Sequence, residues 1–447
     1  MQPTRFATSP ETLKQMVQGI LDEARRSGAS GAEAEISQGF GQNVTVRKGQ
    51  VETIEYTRDN GLSVSVYFGQ RRGHASTSDL SPQAVRDTVA AACSIAKHTA
   101  EDAFAGLAEE ARLAKGALPD LELYYPWEIA VEDAIELARR TEAAAFAVDP
   151  RITNSEGASV SNHESSFIYG NSLGFLNGYA SSRHGLSCAV IAESAGAMQR
   201  DYWYSTARDA AELESAELVG RMTGERALQR LGSRRVKTIQ VPVLFEATIA
   251  SGLISHFVGA ASGGSLYRKS SFLLDSLGKP IFAPHIEIRE LPHIKKGLAS
   301  SAFDDEGVAT RDRHVVKDGV LQGYFLGSYS ARKLGMQTTG NAGGNHNLIV
   351  TSGAEDFAGL LKKMDKGLLV TELLGHGVNQ VTGDYSRGAA GFWVENGAIQ
   401  YPVEEVTIAG NLKEMFRNIV AVGNDVLVRG SKQCGSILIE HMMVAGE

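Results

Sequence analysis

The sequence has little proline, few cysteines and no long apolar run without charge. Proline accounts for 11 of the 447 residues, about half its usual share, whereas glycine accounts for 48. Abundant glycine with scarce proline favours tight turns between strands over a disordered or collagenous chain. The cysteines, Cys93, Cys188 and Cys434, form no CxxC pair and indicate no disulfide framework, which fits a reducing cytoplasm.

Sequence signals for secretion, membrane insertion and nucleic-acid binding are also lacking. The N-terminal stretch MQPTRFATSPETL has no apolar segment of the kind that signal peptides carry. The most apolar stretch, residues 239–263, contains Glu246 and His256, and we expect a buried strand followed by a buried helix there. The net charge of −8 is spread along the chain, which favours solubility and argues against a dedicated nucleic-acid surface.

The first half of the chain repeats one order of elements: a helix, an antiparallel meander and a second helix. Ser9-Pro10 and Ser81-Pro82 each combine a capping side chain with proline in the first turn, as helix starts do. The predicted helices run from Pro10 to a stop at Gly28 and over 82–98, 130–148 and 210–231. The predicted strands are 32–38, 42–48, 50–57, 62–68 and 72–77, with a turn at Asp59-Asn60-Gly61, and then 156–161, 165–170, 173–181, 185–193 and 198–206.

We therefore predict an α+β protein whose N-terminal part holds duplicated helix–antiparallel meander–helix units. The first unit covers residues 1–100, a connector covers 101–125, and the second unit covers 126–232. A charged break at residues 233–237 precedes a C-terminal, strand-rich α+β domain over 235–447. Its predicted helices are 247–261, 355–364 and 411–420.

Local motifs give no metal site and no nucleophile. No His-Glu-x-x-His occurs, no two histidines are spaced i,i+4 on a helix, and His285 and His293 have no metal-ligand spacing. Residues 170–174 match G-x-S-x-G around Ser172, but an alternating segment follows where the nucleophile motif requires a helix. We therefore place Ser172 in a hairpin turn.

Two polar, glycine-rich regions remain as candidates for a site. Asp304, Asp305 and Glu306 precede a glycine without the alternating spacing of a calcium loop, so an exposed turn is favoured and a functional loop is the alternative.

The second region holds His376, Asp384, Tyr385 and Arg387, and the residues leave a ligand cleft and ordinary turns equally open. We expect these four side chains to lie near one another and to face a cleft or a partner chain. Arg387 would then bind a substrate carboxylate or a peptide carbonyl, or it would form a structural ion pair with Asp384.

The sequence resembles the PmbA/TldE family, also called the modulator of DNA gyrase family, and within it the TldE-like branch of the TldD/TldE pair. The resemblance covers nearly the whole chain and is most specific after residue 300. The segments that carry it are 61–67 (GLSVSVY), 301–307 (SAFDDEG), 319–321 (GVL), 338–342 (TTGNA), 381–392 (VTGDYSRGAAGF), 395–397 (ENG), 401–405 (YPVEE) and 408–412 (IAGNL).

The resemblance implies a cytoplasmic, zinc-dependent peptidase that acts on peptides and unfolded protein segments. In the TldD partner, a helix with His-Glu-x-x-x-His and a later cysteine would hold the zinc. Aligned with this motif, the present chain has Ser255, His256 and Ala260, so His256 takes the place of the general base and both histidine ligands are lost. Cys434 lies in a different sequence context from the partner's cysteine and is not assigned as a ligand.

The resemblance therefore implies no catalytic group and no metal of this chain's own, with zinc on a TldD-like partner. The chain would shape a shared substrate chamber as one subunit of a heterodimer, and a homodimer is an option when it is alone. Its strand-rich composition suits the pairing of an extended peptide with a strand edge. The alternatives are a non-proteolytic regulator linked to gyrase or to an antitoxin, and an independent hydrolase that uses Ser172 or Cys188.

Overall fold

The computed structural model describes residues 5–446. Residues 1–4, at the start of the segment in which no signal peptide is predicted, and Glu447, at the end of the predicted C-terminal domain, lie outside this range. No helix within the described range is both long and apolar enough to cross a membrane.

The N-terminal half contains the helix, meander and helix order twice. Its helices are α1 Pro10–Arg26, α2 Pro82–His98, α3 Val131–Phe146 and α4 Ala216–Gln229. Its strands are β1 Gly31–Arg47, β2 Gln50–Phe68, β3 Arg71–Thr77, β4 Ile152–Asn171, β5 Leu176–Ser194 and β6 Ala197–Ala207. The α+β class and the duplicated units predicted from the sequence are confirmed.

The strands of both units form one antiparallel six-stranded sheet in the order β3-β2-β1-β4-β5-β6. The central contact pairs β1 with β4 without interruption, from Glu33 opposite Asn171 to Val46 opposite Ala158. The turn predicted at residues 59–61 is wrong, because these residues continue β2 opposite residues 37–39 of β1. The long ladder with β1 therefore outweighs the local turn preference of Asp-Asn-Gly.

The helices of both units cover the same face of this sheet. Leu13, Val17 and Ile20 of α1 are buried against the side of β1 that carries Ala32, Ala34 and Ile36. Farther along the same side of β1, Val44 and Val46 are buried against α3, in a core cluster to which α4 also contributes. The alternate residues of β1, beginning with Glu33 and Glu35, consequently point to the opposite face, which is turned toward the C-terminal half.

The C-terminal half combines short helices with two further sheets. Its helices are α5 Ala247–Ala260, α6 Gly263–Tyr267, α7 Ser328–Lys333, α8 Phe357–Met364 and α9 Leu412–Arg417. Its strands are β7 Ile239–Phe245, β8 Ile288–Glu290, β9 Arg313–Lys317, β10 Val320–Leu321, β11 Leu348–Val350, β12 Gly367–Leu374, β13 Asp384–Glu395, β14 Ala398–Asn411, β15 Ile419–Val422, β16 Lys432–Gln433 and β17 Ile437–Ala445.

The larger C-terminal sheet closes on itself and holds α5 against the core. Its order is β14-β13-β12-β7-β17-β15, and a further pairing of β14 with β17 brings its two sides together. The smaller sheet has the order β10-β9-β8-β11-β16. Phe257 of α5 is buried against the rings of Phe282, Phe325 and Phe416, so one face of α5 is fixed in the core.

Arginines join the two halves by binding backbone carbonyl groups across the junction. Arg332 of α7 donates to the carbonyls of Phe104, Gly106 and Leu107 in the segment between α2 and α3, at 2.7–3.0 Å. Arg208 donates in the same way to the carbonyls of residues 182, 297 and 298. Hydrogen bonds from a charged donor are the stronger class, so these contacts fix the halves relative to each other.

Candidate functional site

The first part of the candidate site is the exposed side of α5, where the family resemblance places the counterpart of a metal-binding motif. Helix α5 follows β7 directly, and the hydroxyl of Ser436 on the neighbouring chain segment accepts a hydrogen bond from the N–H of Ala247 at 2.9 Å. Of the three motif positions, Ser255 is exposed, His256 is half-buried, and Ala260 is completely buried. Only His256 therefore presents a nitrogen donor from this helix.

The second part is the start of β13, which the preceding loop holds next to α5. Val378 pairs with Tyr385, and Gly377 lies so close to the carbonyl of Ser386 that a Cβ atom there would be 1.8 Å from its oxygen. Only glycine permits this approach. Because side chains alternate along a strand, Tyr385 and Arg387 share one face of β13, whereas Asp384 points to the other.

His256, Tyr385 and Arg387 come together in the folded chain. The rings of His256 and Tyr385 contact each other edge to face, with a centroid distance of 5.9 Å. Burial and the nearby positive charge of Arg387 both lower the pKa of His256, so its imidazole is neutral at pH 7. Burial raises the pKa of Tyr385 to about 12 although Arg387 opposes this rise, so the phenol keeps its proton.

Several polar atoms of this cluster lack a partner. Among residues 5–446, the hydroxyl of Tyr385, the Nε of Arg387 and the side-chain oxygen of Gln380 are buried without a hydrogen bond of good geometry. Gln380 lies over α5, since its amide nitrogen is 3.1 Å from the position that a Cβ atom of Gly259 would take. Buried polar groups in proteins normally form hydrogen bonds, so several unpaired polar atoms in one place identify this cluster as a candidate binding site.

Asp384 and His376 occupy different surroundings from Tyr385 and Arg387. The carboxylate of Asp384 is exposed and accepts hydrogen bonds from Thr382 Oγ1 at 2.6 Å and from Asn411 Nδ2 at 3.0 Å, and these bonds lower its pKa. Within the described range Asp384 forms no ion pair with Arg387, so the alternative of a structural pair between them is wrong. His376 is exposed in the loop before β13, and its carbonyl accepts the N–H of Val378.

The acidic segment is only partly the exposed turn favoured from the sequence. Asp305 and Glu306 form a turn, but Asp304 is buried, which contradicts that expectation. One oxygen of Asp304 accepts the N–H groups of Glu306 and Val308, and the other accepts that of Ala342, at 2.9–3.0 Å. These bonds order the loop from within. Burial, followed by the charge of Glu306, raises the pKa of Asp304 to about 7.

Asp305 and Glu306 border a cavity of about 730 Å³ between the N-terminal sheet and the C-terminal half. Glu33 and Glu35 of β1 line its other wall, and sequence reasoning missed both. Glu33 accepts hydrogen bonds from the hydroxyls of Tyr67 and Tyr169, each at 3.0 Å. Burial, together with Asp305, raises the pKa of Glu35. The sequence signal that could have identified them is the alternation of glutamate with alanine in β1. The alanines face the buried side of the strand, so the glutamates must face the other side.

The residues present do not fit the zinc ion that the family resemblance implies. Ser255 and Ala260 supply no imidazole, and the positive charge of Arg387 lies beside the one nitrogen donor, His256. Cys434 is buried, and burial and Asp425 raise the pKa of its thiol to about 12, which disfavours the thiolate that zinc requires. No group of three or more potential metal ligands occurs among residues 5–446.

The alternative nucleophiles have structural surroundings. Ser172 lies in the hairpin turn between β4 and β5, as predicted, and its hydroxyl accepts the N–H of Ala32 at 3.0 Å. Cys188 is buried in β5, and burial raises the pKa of its thiol to about 12. Neither residue combines the exposure and the neighbouring base that an activated nucleophile needs.

Three family models match successive parts of the chain. They describe domain 1, the central domain and the C-terminal domain of the PmbA/TldA metallopeptidases, and they match residues 32–96, 124–231 and 238–446. The metalloprotease PmbA of Escherichia coli O157:H7 is 52% identical over 97% of this chain and 96% of its own length. The PmbA homologue of Haemophilus influenzae is 48% identical over the full length of both chains.

Solved structures show the same architecture. A protein of Bacteroides thetaiotaomicron, described as a modulator of DNA gyrase, is similar with a TM-score of 0.92 and 29% identity, covering 97% of this chain and 99% of its own. TldE of Thermococcus kodakarensis is similar in fold, with a TM-score of 0.85 at 19% identity, covering 96% of this chain and all of its own. With family models over most of its length and a relative more than half identical, the chain belongs to the PmbA/TldA metallopeptidase family.

Proposed function

We propose that the chain is the TldE-like subunit of a two-chain, zinc-dependent peptidase, and that a TldD-like partner holds the zinc. The observation that carries this proposal is the misfit on α5, where a serine, a histidine beside an arginine and a buried alanine stand in place of the metal motif. A metallopeptidase polarises water through its metal. A family member that does not fit the metal therefore needs a partner for this step.

The role proposed for this chain is to bind and position peptides or unfolded protein segments in a chamber shared with the partner. Two features support it. The cavity of about 730 Å³ has room for several side chains. In addition, β3 pairs only with residues 62–68 of β2, so within the described range no strand covers the outer edge of residues 50–61. Such an edge offers free N–H and C=O groups to an extended peptide.

We also propose that the assembly works in the cytoplasm. The support for this location is that Cys93, Cys188 and Cys434 are all free and buried, so the described fold depends on no disulfide. The rival role of a non-proteolytic regulator has no feature of its own in this structure that favours it.

The test is to measure zinc and peptidase activity in the purified chain, in a purified TldD-like chain and in their mixture. We expect less than about 0.1 zinc per molecule of this chain, no cleavage of an unfolded protein by it, and cleavage when both chains are mixed. As a control, His256→Ala in this chain is expected to leave the zinc content of the mixture unchanged. About one zinc per molecule that survives mild chelation, together with cleavage by this chain alone, would overturn the proposal.

A further inference from the structure

The cluster formed by α5 and the start of β13 contains several hydrogen-bond donors that lack a well-placed acceptor. Tyr385 is 1% exposed, and neither its hydroxyl nor the Nε of Arg387 has a hydrogen bond of good geometry, although the guanidinium of Arg387 lies close enough to lower the pKa of the phenol. Both groups donate hydrogen bonds, and the guanidinium adds a positive charge. The neutral imidazole of His256 beside them offers one more N–H.

No carboxylate among residues 5–446 balances this charge. Asp384, next to Tyr385 in sequence, points to the other face of β13 and is bound by Thr382 and Asn411. Glu372 on the neighbouring strand β12 pairs with Arg230 at 2.6 Å. Within residues 5–446, Arg387 forms no ion pair. A group of donors around an uncompensated guanidinium is complementary to an anion, and the planar fork of arginine suits a carboxylate best.

We propose that Arg387, Tyr385 and His256 form a binding site for a carboxylate group of a peptide. This inference rests on the proposed function for the identity of the ligand, because an extended peptide offers carboxylates in only two places, its C-terminus and its acidic side chains. His256, Gln380 and Arg387 are each partly exposed, so the cluster borders the solvent, whereas the hydroxyl of Tyr385 and the Nε of Arg387 are themselves buried. The bound carboxylate accepts from the hydroxyl of Tyr385 and the guanidinium of Arg387, which satisfies their free donors.

The experiment is fluorescence anisotropy with the full chain, without a partner, and three dye-labelled hexapeptides of alanine and serine. The first peptide has a free C-terminal carboxylate, the second has a C-terminal amide, and the third has the amide and one internal glutamate. We expect the first or the third to bind at least about tenfold more tightly than the second, as a charge-assisted pair provides. The tighter of the two identifies the source of the carboxylate.

Two variants and a control test the residues. Tyr385→Phe keeps the ring and removes only the free hydroxyl, and Arg387→Gln removes the charge, so each is expected to reduce the preference for carboxylate peptides at least about fivefold. Arg289→Gln removes an exposed arginine of β8 and is expected to change nothing. Circular dichroism verifies that each variant is folded.

Equal affinity for the three peptides, or an equal loss in Arg289→Gln, overturns the proposal. This binding measurement needs neither zinc nor a partner. A failure of the two-chain peptidase test would therefore not decide whether the carboxylate site exists. Likewise, a failure of the peptide-binding test would not decide whether the two chains form a peptidase.

Discussion

The ring of His256 stands edge-on to the ring of Tyr385, at a centroid distance of 5.9 Å. The contact joins α5 to β13 at the position where the family resemblance places the general base of a metallopeptidase motif. A glutamate there would face Arg387 as an opposite charge, whereas the histidine is held neutral by burial and by that arginine. The local electrostatics are thus those of a site for an anionic group and oppose the binding of a metal cation.

Removing the charge of Arg387 should raise the pKa of His256. The Arg387→Gln variant loses the repulsion between guanidinium and imidazolium, while burial continues to hold the pKa below its ordinary value. The measurement is NMR titration of the His256 ring signals between pH 4 and 8, with Arg289→Gln as the charge-matched control. An unchanged pKa in Arg387→Gln would mean that the two side chains do not interact in solution.

Rebuilding the metal motif should damage the fold at one position only. Ala260 is completely buried, so Ala260→His forces a large ring into the core beneath α5 and is expected to lower the free energy of unfolding by about 1–3 kcal/mol. Ser255 is exposed, and Ser255→His should change the stability by less than about 0.5 kcal/mol. Melting temperatures of the two variants test this, and a similar small loss in both would contradict it.

Asp304 should make the protein less stable as the pH rises. Its pKa is about 7 in the folded chain against an ordinary value of 3.8, so its stabilising contribution is complete below pH 4 and is lost as the pH rises through 7. The upper bound for this loss is roughly 4 kcal/mol. Asp304→Asn cannot titrate, so its melting temperature relative to the wild type should increase from pH 4 to pH 8.

If the melting temperature of Asp304→Asn relative to the wild type instead fell from pH 4 to pH 8, the prediction would be contradicted. That result would show that the three backbone N–H groups around Asp304 keep its carboxylate ionised, against the effect of burial. Asp318→Asn provides the control, because Asp318 lies in an exposed turn between β9 and β10. Its melting temperature relative to the wild type should show no such trend with pH.

Arg332 should control the order of the segment between α2 and α3. Arg332→Gln removes charged hydrogen bonds to three carbonyls of residues 104–107, at a cost of about 1.5–3 kcal/mol. Amide hydrogen exchange in residues 100–125 should accelerate, while the exchange of β4 and β5 stays as in the wild type. The control is Arg311→Gln, an exposed arginine. Unchanged exchange in Arg332→Gln would show that other contacts suffice.

Local sequence signals predicted most helix starts well because caps are local, but the helix predicted from residue 210 begins only at Ala216, after its cap at Ser215. The signals at Ser9-Pro10 and Ser81-Pro82 located both helix starts correctly, and the capping hydrogen bonds of both serines are present. The strands were predicted too short, since glycine and asparagine inside β2 look like a turn until β1 lies alongside. The pairing of β1 with β4 joins distant segments, and no local pattern encodes it. The domain boundaries at 100, 126, 232 and 235 stay predictions.

The candidate site was predictable in part for the same reason. Glycine-rich surroundings singled out Tyr385 and Arg387, but strand alternation, which separates them from Asp384, required knowing that β13 begins at Asp384. The proximity of His256 depends on how α5 packs against the sheet. Burial of Asp304 likewise follows from three backbone partners that come together only in the folded chain.

The strand order of the N-terminal sheet reads the same from either end when the two units are exchanged. The strand arrangement is therefore symmetric about the antiparallel contact between β1 and β4, and this contact has the form of a symmetric dimer interface within one polypeptide. Either unit, expressed alone, would expose β1 or β4, which lies in the middle of the intact sheet, as an open edge. That edge could pair with the same strand of a second copy. We expect such a fragment to associate with itself, and the covalent link between the units makes that association intramolecular and independent of concentration.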